Sequence, residues 1–348
     1  MRPSKGCMTF FGGAATGVVV ASALGFVVVR YVLLATIQVP VVSLNEWGTQ
    51  PLYRRTGETP VVMTEPFRRW FPGTATFRAD VEVSLLESRE RVEFYVVPDY
   101  RAPVPFIIDT GAEWNFLSWD TLSLLGVPEH VPAGGWFTAP RLHAASAEVE
   151  TKFFILDRLG LGPHVLHDPL FAMVPTTGRQ RRLAGLGSKT FSHVALDLDL
   201  VDRVLRINPT DAIPSGAPFV LDIPVPTVQA RFGALEVVAL IDTGATHTAI
   251  SPGLRERLQL VEGTVSRVTD GTGLAKDVPN VQLPAFELAG VAFFSQEASV
   301  LSVAPLALAV GELYLIVGMS ALNGHRVVID YPKRTVSVVA DATGESSD

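Results

Sequence analysis

The sequence predicts an all-β body built from two similar halves, behind one apolar amino-terminal segment. From residue 74 onward, short runs of apolar residues such as Val92–Val96 alternate with Gly, Pro and Asp, as is typical of strands and turns. One pattern occurs twice: Phe106–Ala112 reads FIIDTGA and Ala239–Ala245 reads ALIDTGA. Because a repeated pattern is the sequence signature of a duplicated structural unit, the two copies predict two related halves.

The amino-terminal segment is predicted to be one transmembrane helix. Residues 8–29 carry no charged side chain and are mostly apolar, and a run of this length can span a bilayer. Arg2 and Lys5 precede the run, which predicts an amino terminus on the cytoplasmic side. A cleaved signal peptide is the alternative, because Ala21–Ala23 resembles a cleavage site. Apolar residues continue to Ile37, which favours an uncleaved anchor.

The remaining boundaries follow from composition and from the repeat. The stretch from about residue 38 to residue 73 mixes prolines, charged residues and isolated aromatics, and its apolar residues show no regular spacing. This composition predicts a tether that connects the anchor to the body. Gly187 and Asp199 in the first half align with Gly318 and Asp330 in the second, at nearly the spacing of the two DTGA copies. The predicted parts are a cytoplasmic stub with the anchor (1–37), the tether (38–75), the first half (76–210) and the second half (217–342).

Composition excludes several classes of function. The formal net charge of −7 and the lack of a basic cluster argue against a nucleic-acid partner. The single cysteine, Cys7, excludes an internal disulfide framework and a multi-cysteine metal site. The seven histidines show no HExxH spacing. We therefore expect neither a metal nor another cofactor.

The two DTGA copies, with the glycine that follows each of them, resemble the retropepsin-like aspartic proteases. In that family an apolar strand delivers Asp-Thr-Gly-Ala, and two hydrophobic residues and a glycine come later. Ile316–Met319, followed by Val328–Tyr331, fits this pattern, whereas Gly185 in the first half stands where a second hydrophobic residue is usual. The resemblance implies a bilobal aspartic-protease fold, an acid-protease barrel of two fused retropepsin-like halves. Retropepsins usually supply one such aspartate per chain and dimerise, whereas this chain carries both, so the catalytic part is expected to work as a monomer.

The resemblance implies that Asp109 and Asp242 are the catalytic residues. Two adjacent carboxylates cannot both ionise readily, so the pair holds one proton. The ionised member then acts as the general base on water, and the protonated member acts as the acid. The expected supporting residues of the two loops are Thr110, Gly111, Thr243 and Gly244. The glycines permit tight turns. The resemblance implies that the threonines hydrogen-bond to the opposite loop.

A protease of this kind also covers its peptide with a hairpin flap. Asp270, Gly271, Thr272 and Gly273 lie between Val268 and Leu274 and form a strong turn pattern, so they are the candidate flap. Residues 137–146 are the candidate counterpart in the first half. An extended substrate would pair its backbone with such hairpins.

The sequence therefore predicts a membrane-anchored aspartic endopeptidase that acts on peptides or proteins. Its catalytic part is expected outside the cytoplasm, at a bacterial inner membrane facing the periplasm. The alternative is a non-catalytic scaffold that binds peptides and retains the fold. An Asp-Thr-Gly turn can also be purely structural, with the Asp side chain capping local amides. The duplication favours the enzyme, since a binding module needs no pair of acids.

Overall fold

The computed structural model divides the chain into two units, Met1–Thr49 and Gln50–Asp348. The described residues all lie in the second unit; they are 51–52, 61–62, 74–76, 82–86, 91–98, 103–125, 142–143, 148–149, 152–155, 158–167, 169–174, 183–209, 213–269, 275–303, 306 and 309–340. The predicted anchor at residues 8–29 lies outside them and stays a prediction. Among the residues that are described, no helix is long and apolar enough to cross a membrane.

Strands dominate the described residues, which confirms the prediction of a mostly β body with few helices. The helices are short: α1 (Trp119–Leu124), a 3-10 helix (Ser188–Phe191), α2 (Pro252–Arg257) and α3 (Met319–Leu322). Two strand pairs lie outside the larger sheets; they are β1 (Pro51–Leu52) with β2 (Val61–Val62), and β8 (Leu142–His143) with β9 (Glu148–Val149).

The first half forms a nine-stranded sheet. In spatial order its strands are β10 (Lys152–Ile155), β13 (Leu170–Val174), β7 (Asn115–Ser118), β14 (Ala184–Gly187), β6 (Val104–Asp109), β5 (Val92–Pro98), β11 (Arg158–Leu161), β12 (His164–His167) and β3 (Thr74–Thr76). The strand that ends on Asp109, β6, lies between β14, to which it is parallel, and β5, to which it is antiparallel.

The second half forms another nine-stranded sheet. In spatial order its strands are β21 (Glu262–Thr269), β22 (Ala275–Leu283), β25 (Gln296–Val300), β20 (Ala249–Ile250), β26 (Tyr314–Val317), β19 (Leu235–Ile241), β18 (Thr227–Phe232), β23 (Phe286–Leu288) and β24 (Val291–Phe293). The strand that ends just before Asp242, β19, is parallel to β26 and antiparallel to β18.

The pairings of the two sheets correspond strand by strand. In each half the strand that leads to the aspartate is parallel to a short strand, β14 or β26, which is antiparallel to β7 or β20 on its other side. Beyond them, β13 runs parallel to β7 as β25 runs parallel to β20. Equal pairings place the loops after β6 and β19 at equivalent positions.

A six-stranded sheet joins the halves. Its spatial order is β17 (Ala217–Pro218), β28 (Thr335–Ala340), β27 (His325–Asp330), β15 (Ala195–Asp199), β16 (Val204–Ile207) and β4 (Glu82–Ser84). The junction is the antiparallel pair of β15 and β27, in which Ala195 lies opposite Asp330. Across it, Arg326 donates two hydrogen bonds of 2.7 Å to the fully buried carboxylate of Asp197. This bidentate pair satisfies both charges and fixes the register of the two halves.

The hairpins that end the two halves share an unusual backbone geometry. Arg203 and Arg334 lie at equivalent turns and have φ values of 57° and 56°. The side chain of each reaches a backbone carbonyl, that of Leu86 for Arg203 and that of Leu221 for Arg334. The two arginines therefore anchor the turns to neighbouring segments.

Gly185, which stands where the second half has the hydrophobic residue Ile316, makes room for an aromatic ring. A Cβ atom at Gly185 would lie 2.5 Å from Cζ of Phe116, the residue opposite it in β7. At the equivalent place in the second half, Ile316 lies opposite Ala249. Each half therefore pairs one large residue with one small residue at this place. In the first half the large residue comes from β7, and in the second half it comes from β26, the equivalent of β14.

Candidate active site

Buried strands bring both aspartates to the contact between the halves. Phe106 and Ile108 in β6, and Ala239 and Ile241 in β19, are inaccessible to solvent. These alternate residues hold each strand in the core, so that its end is fixed in place. In each loop the amide of the alanine of DTGA donates to the carbonyl oxygen of the aspartate at 3.3 Å, which closes a tight turn.

Thr110 and Thr243 link the two loops through reciprocal hydrogen bonds. The Thr110 hydroxyl donates to the Ile241 carbonyl at 2.7 Å, and the Thr243 hydroxyl donates to the Ile108 carbonyl at 2.6 Å. Each hydroxyl also accepts from the other threonine's amide, at 3.2 and 3.1 Å. Both threonines are fully buried. Four buried bonds, each worth about 0.5–1.5 kcal/mol net, hold the loops in a symmetric arrangement.

Gly111 and Gly244 let the two loops approach each other. A Cβ atom at Gly111 would lie 2.4 Å from Cγ of Asp242, and one at Gly244 would lie 2.3 Å from Cγ of Asp109. Each carboxyl group therefore lies against the glycine of the opposite loop. Any side chain at either glycine would displace a carboxyl group, because no real Cβ contact is this short.

Asp109 and Asp242 form one hydrogen-bonded pair of carboxyl groups. Burial, followed by the negative charge of Asp242, raises the pKa of Asp109. Burial also raises the pKa of Asp242, while hydrogen bonds from the amides of Gly244 and Ala245 and from Asp109 lower it. Donating that bond raises the pKa of Asp109 further. The two carboxyl groups therefore behave as one coupled pair, and the pair holds its proton to a higher pH than an ordinary aspartate does.

The strands beside the aspartate-bearing strands support the loops from below. A Cβ atom at Gly187 would lie 2.5 Å from the Trp114 carbonyl oxygen, and one at Gly318 would lie 2.4 Å from the His247 carbonyl oxygen. Both glycines therefore allow backbone to pack directly against backbone beneath the aspartates. His247, next to the second loop, is exposed.

One buried hydrogen-bond chain supports the first loop. The Ser188 hydroxyl donates to the Thr110 carbonyl at 2.7 Å, and the Tyr331 hydroxyl donates to Ser188 at 3.0 Å. Burial raises the pKa of Tyr331, so it stays a neutral donor. In the second half Met319 follows the equivalent glycine. Sequence reasoning assigned no role to Ser188 or Tyr331, because a serine and a tyrosine distant in sequence show no pattern that links them.

An ion pair flanks the first loop. Glu113 contacts the Lys189 ammonium at 2.5 Å, and the same ammonium lies 3.5 Å from the centre of the Trp114 ring. The second half has Thr246, His247 and Ser320 in the corresponding sequence positions. The surroundings of the two aspartates are therefore unequal in charge.

The candidate flap is described only at its base. Residues Asp270, Gly271, Thr272 and Gly273 lie outside the described residues, while β21 and β22 on either side pair antiparallel up to Thr269 and Ala275. In the first half, β8 and β9 form a small hairpin that overlaps the candidate counterpart at residues 137–146.

Metal ligands are not clustered in the part of the chain that the structure describes. No group of three or more His, Cys, Asp and Glu residues in those ranges could hold a metal ion. The polar groups that converge at the two loops are the carboxyl groups of the aspartates, the threonine hydroxyls and the backbone amides that donate to them. Such a set can hold a proton and pass it to or from water.

The comparisons with known proteins point to the second half. Residues 228–321 match the family model described as aspartyl protease. This segment begins in β18, ends in α3, and contains the second DTGA loop and Val317–Gly318. No curated protein matches the chain. The chain thus contains a segment that is similar to aspartyl proteases, and the loop of Asp109 lies outside that segment.

Proposed function

We propose that this protein is an aspartic endopeptidase whose Asp109 and Asp242 together activate one water molecule for peptide-bond hydrolysis. The observation that carries the proposal is that each carboxyl group lies against the glycine of the opposite loop, where reciprocal threonine hydrogen bonds hold the two loops together. The match of residues 228–321 to aspartyl proteases supports it. A peptide-binding scaffold would gain nothing from burying two acids beside each other, because such burial costs free energy.

In the proposed reaction the two carboxyl groups have different roles. Asp242, whose Oδ1 accepts hydrogen bonds from two backbone amides, takes the role of the ionised member and accepts a proton from water as the oxygen attacks the scissile carbonyl carbon. Asp109 donates its proton to the carbonyl oxygen, which gives a neutral tetrahedral diol. Asp242 then gives the proton that it accepted to the nitrogen, and a hydroxyl of the diol returns a proton to Asp109 as the carbon–nitrogen bond breaks. A carboxyl product and an amine product leave, and both aspartates regain their starting states. No covalent link to the protein forms.

Replacement of either aspartate tests the proposal. We expect Asp109→Asn and Asp242→Asn each to lower kcat for cleavage of an unfolded protein at least a thousandfold, because each removes one proton-transfer group. Asp120→Asn and Asp222→Asn, at exposed positions, are the matched controls and should cleave at the wild-type rate. Hydrolysis that survives in both active-site variants would exclude the mechanism. Binding of peptides without any hydrolysis would favour the scaffold.

We also propose that residues 8–29 anchor the protein in a membrane, with the catalytic part outside the cytoplasm and facing the periplasm of a bacterium. The length and apolar character of the run support this proposal. Retention of the full chain in membranes washed with alkaline carbonate is the expected result. Release into the soluble fraction would contradict it.

A further inference from the structure

Arg91 lies beside the carboxyl pair. The residue immediately precedes β5, and the pairing of Val92 with Ile108 places Arg91 opposite Asp109 in the antiparallel register. Its side chain is partly buried. The guanidinium is a positively charged group that carries only hydrogen-bond donors, so this position brings a positive charge to the start of β5. The start of β5 and the end of β6 therefore bring a cation, Arg91, and an acid, Asp109, to the same end of the sheet.

The second half has an apolar residue at the same place. The pairing of β18 with β19 ends at Thr227 opposite Leu240, and the same register counted two residues further makes Val225 the counterpart of Asp242. Val225 packs against a buried cluster that includes Leu240, Tyr314 and Ile316. The duplication thus created two equivalent positions beside the aspartates, and only the first of them is charged.

The positive charge of Arg91 reaches both acids. It lowers the pKa of Asp109 and of Asp242, against burial, which raises both. Other ionisable groups border the loops. His247, next to the second loop, is exposed. Glu113 and Lys189 form a contact ion pair whose charges largely offset each other, and Tyr331, whose pKa is raised by burial and by the charge of Asp109, stays neutral.

We propose that Arg91 is a positioning residue that sets the pH range in which the carboxyl pair holds one proton. A nearby cation stabilises the singly and the doubly ionised pair relative to the fully protonated one, the doubly ionised pair most. Both proton-release steps therefore occur at lower pH than they would without it. The consequence for catalysis rests on the proposed function, whereas the consequence for protonation rests only on the strand register and on the charge of Arg91.

The first test compares the pH dependence of kcat/KM among full-length variants. Arg91→Val copies the second half, and both limbs of its profile should move to higher pH by on the order of one unit, as expected for a unit charge at short range in a protein environment. Arg91→Lys keeps the charge and should stay close to the wild type. Arg231→Gln, at an exposed arginine paired with Glu287, is the control and should not shift. Equal shifts in the Lys and Val variants would overturn the proposal.

The second test needs no turnover. Carboxyl carbons of Asp109 and Asp242, labelled with ¹³C in the full chain and assigned with the Asn variants, are titrated by NMR. Both titration steps should rise in Arg91→Val, or in Arg91→Gln where the valine variant does not fold. Unchanged titration in these variants would refute the role of Arg91. Shifted titration without any peptide hydrolysis would leave that role intact and refute the proposed function instead.

Discussion

Asp109 and Asp242 differ in the number of backbone amides that reach their carboxyl oxygens. Oδ1 of Asp109 accepts from Ala112 at 2.9 Å, whereas Oδ1 of Asp242 accepts from Gly244 at 3.0 Å and from Ala245 at 3.1 Å. Amide donors stabilise a carboxylate more than a carboxylic acid. Two loops with the same tetrapeptide therefore stabilise an ionised carboxyl group to different degrees, and only the structure reveals this difference.

The raised pKa of Asp109 makes the stability of the protein depend on pH. Above the ordinary aspartate pKa, the folded protein holds a proton that the unfolded chain has released, so stability falls as pH rises toward the raised pKa of Asp109. Below the ordinary pKa this contribution is fully present. In Asp109→Asn the group cannot ionise, so the free energy of unfolding should decline less between pH 4 and pH 8 than in the wild type.

Urea unfolding of the purified full chain at several pH values measures this difference. Each unit of raised pKa corresponds to about 1.4 kcal/mol. Asp120→Asn, at an exposed position, should follow the wild-type curve. A variant Asp109→Asn with the same pH dependence as the wild type would mean that Asp109 is not protonated in the folded protein.

At the scale of elements, β14 and β26 occupy equivalent positions but pack against their antiparallel neighbours with different side chains. Each strand lies beside a strand that leads into a DTGA loop, and in each half one large side chain fills the space between this strand and its antiparallel neighbour. Phe116 of β7 fills the space over Gly185, and Ile316 of β26 fills the space over Ala249. Sequence comparison of the halves identifies Gly185 as a departure but cannot explain it, because its partner in β7 is distant in sequence.

A double-mutant cycle tests this compensation. Gly185→Ile alone should cost about 1–3 kcal/mol by overpacking against the ring, and Phe116→Ala alone should cost a similar amount by leaving a cavity. The double variant reproduces the second half, so it should cost clearly less than the sum, with a coupling of about 1–3 kcal/mol. Gly185→Ile combined with Phe293→Ala in β24 is the control and should be additive. Additivity in the test pair would mean that the two residues are independent.

At the scale of the whole molecule, the sequence predicts the two related halves and the two aspartates, but it does not predict which residues surround the aspartates. The doubled DTGA is a local signal, so Asp109, Asp242 and both threonines can be identified by reading the chain. Arg91 cannot, because only the strand register places it opposite Asp109. Ser188 and Tyr331 are likewise joined by the fold alone. Contacts between distant segments depend on packing, which no local pattern encodes.

For the whole molecule, the central claim is that one chain contains one complete site, built from both halves. Calorimetric titration of the full-length protein with a peptide that contains a statine residue, whose hydroxyl mimics the tetrahedral intermediate, counts such sites. We predict one inhibitor bound per chain, and loss of binding in both Asp109→Asn and Asp242→Asn. Binding of one inhibitor per two chains, or binding that either variant leaves unchanged, would contradict the account.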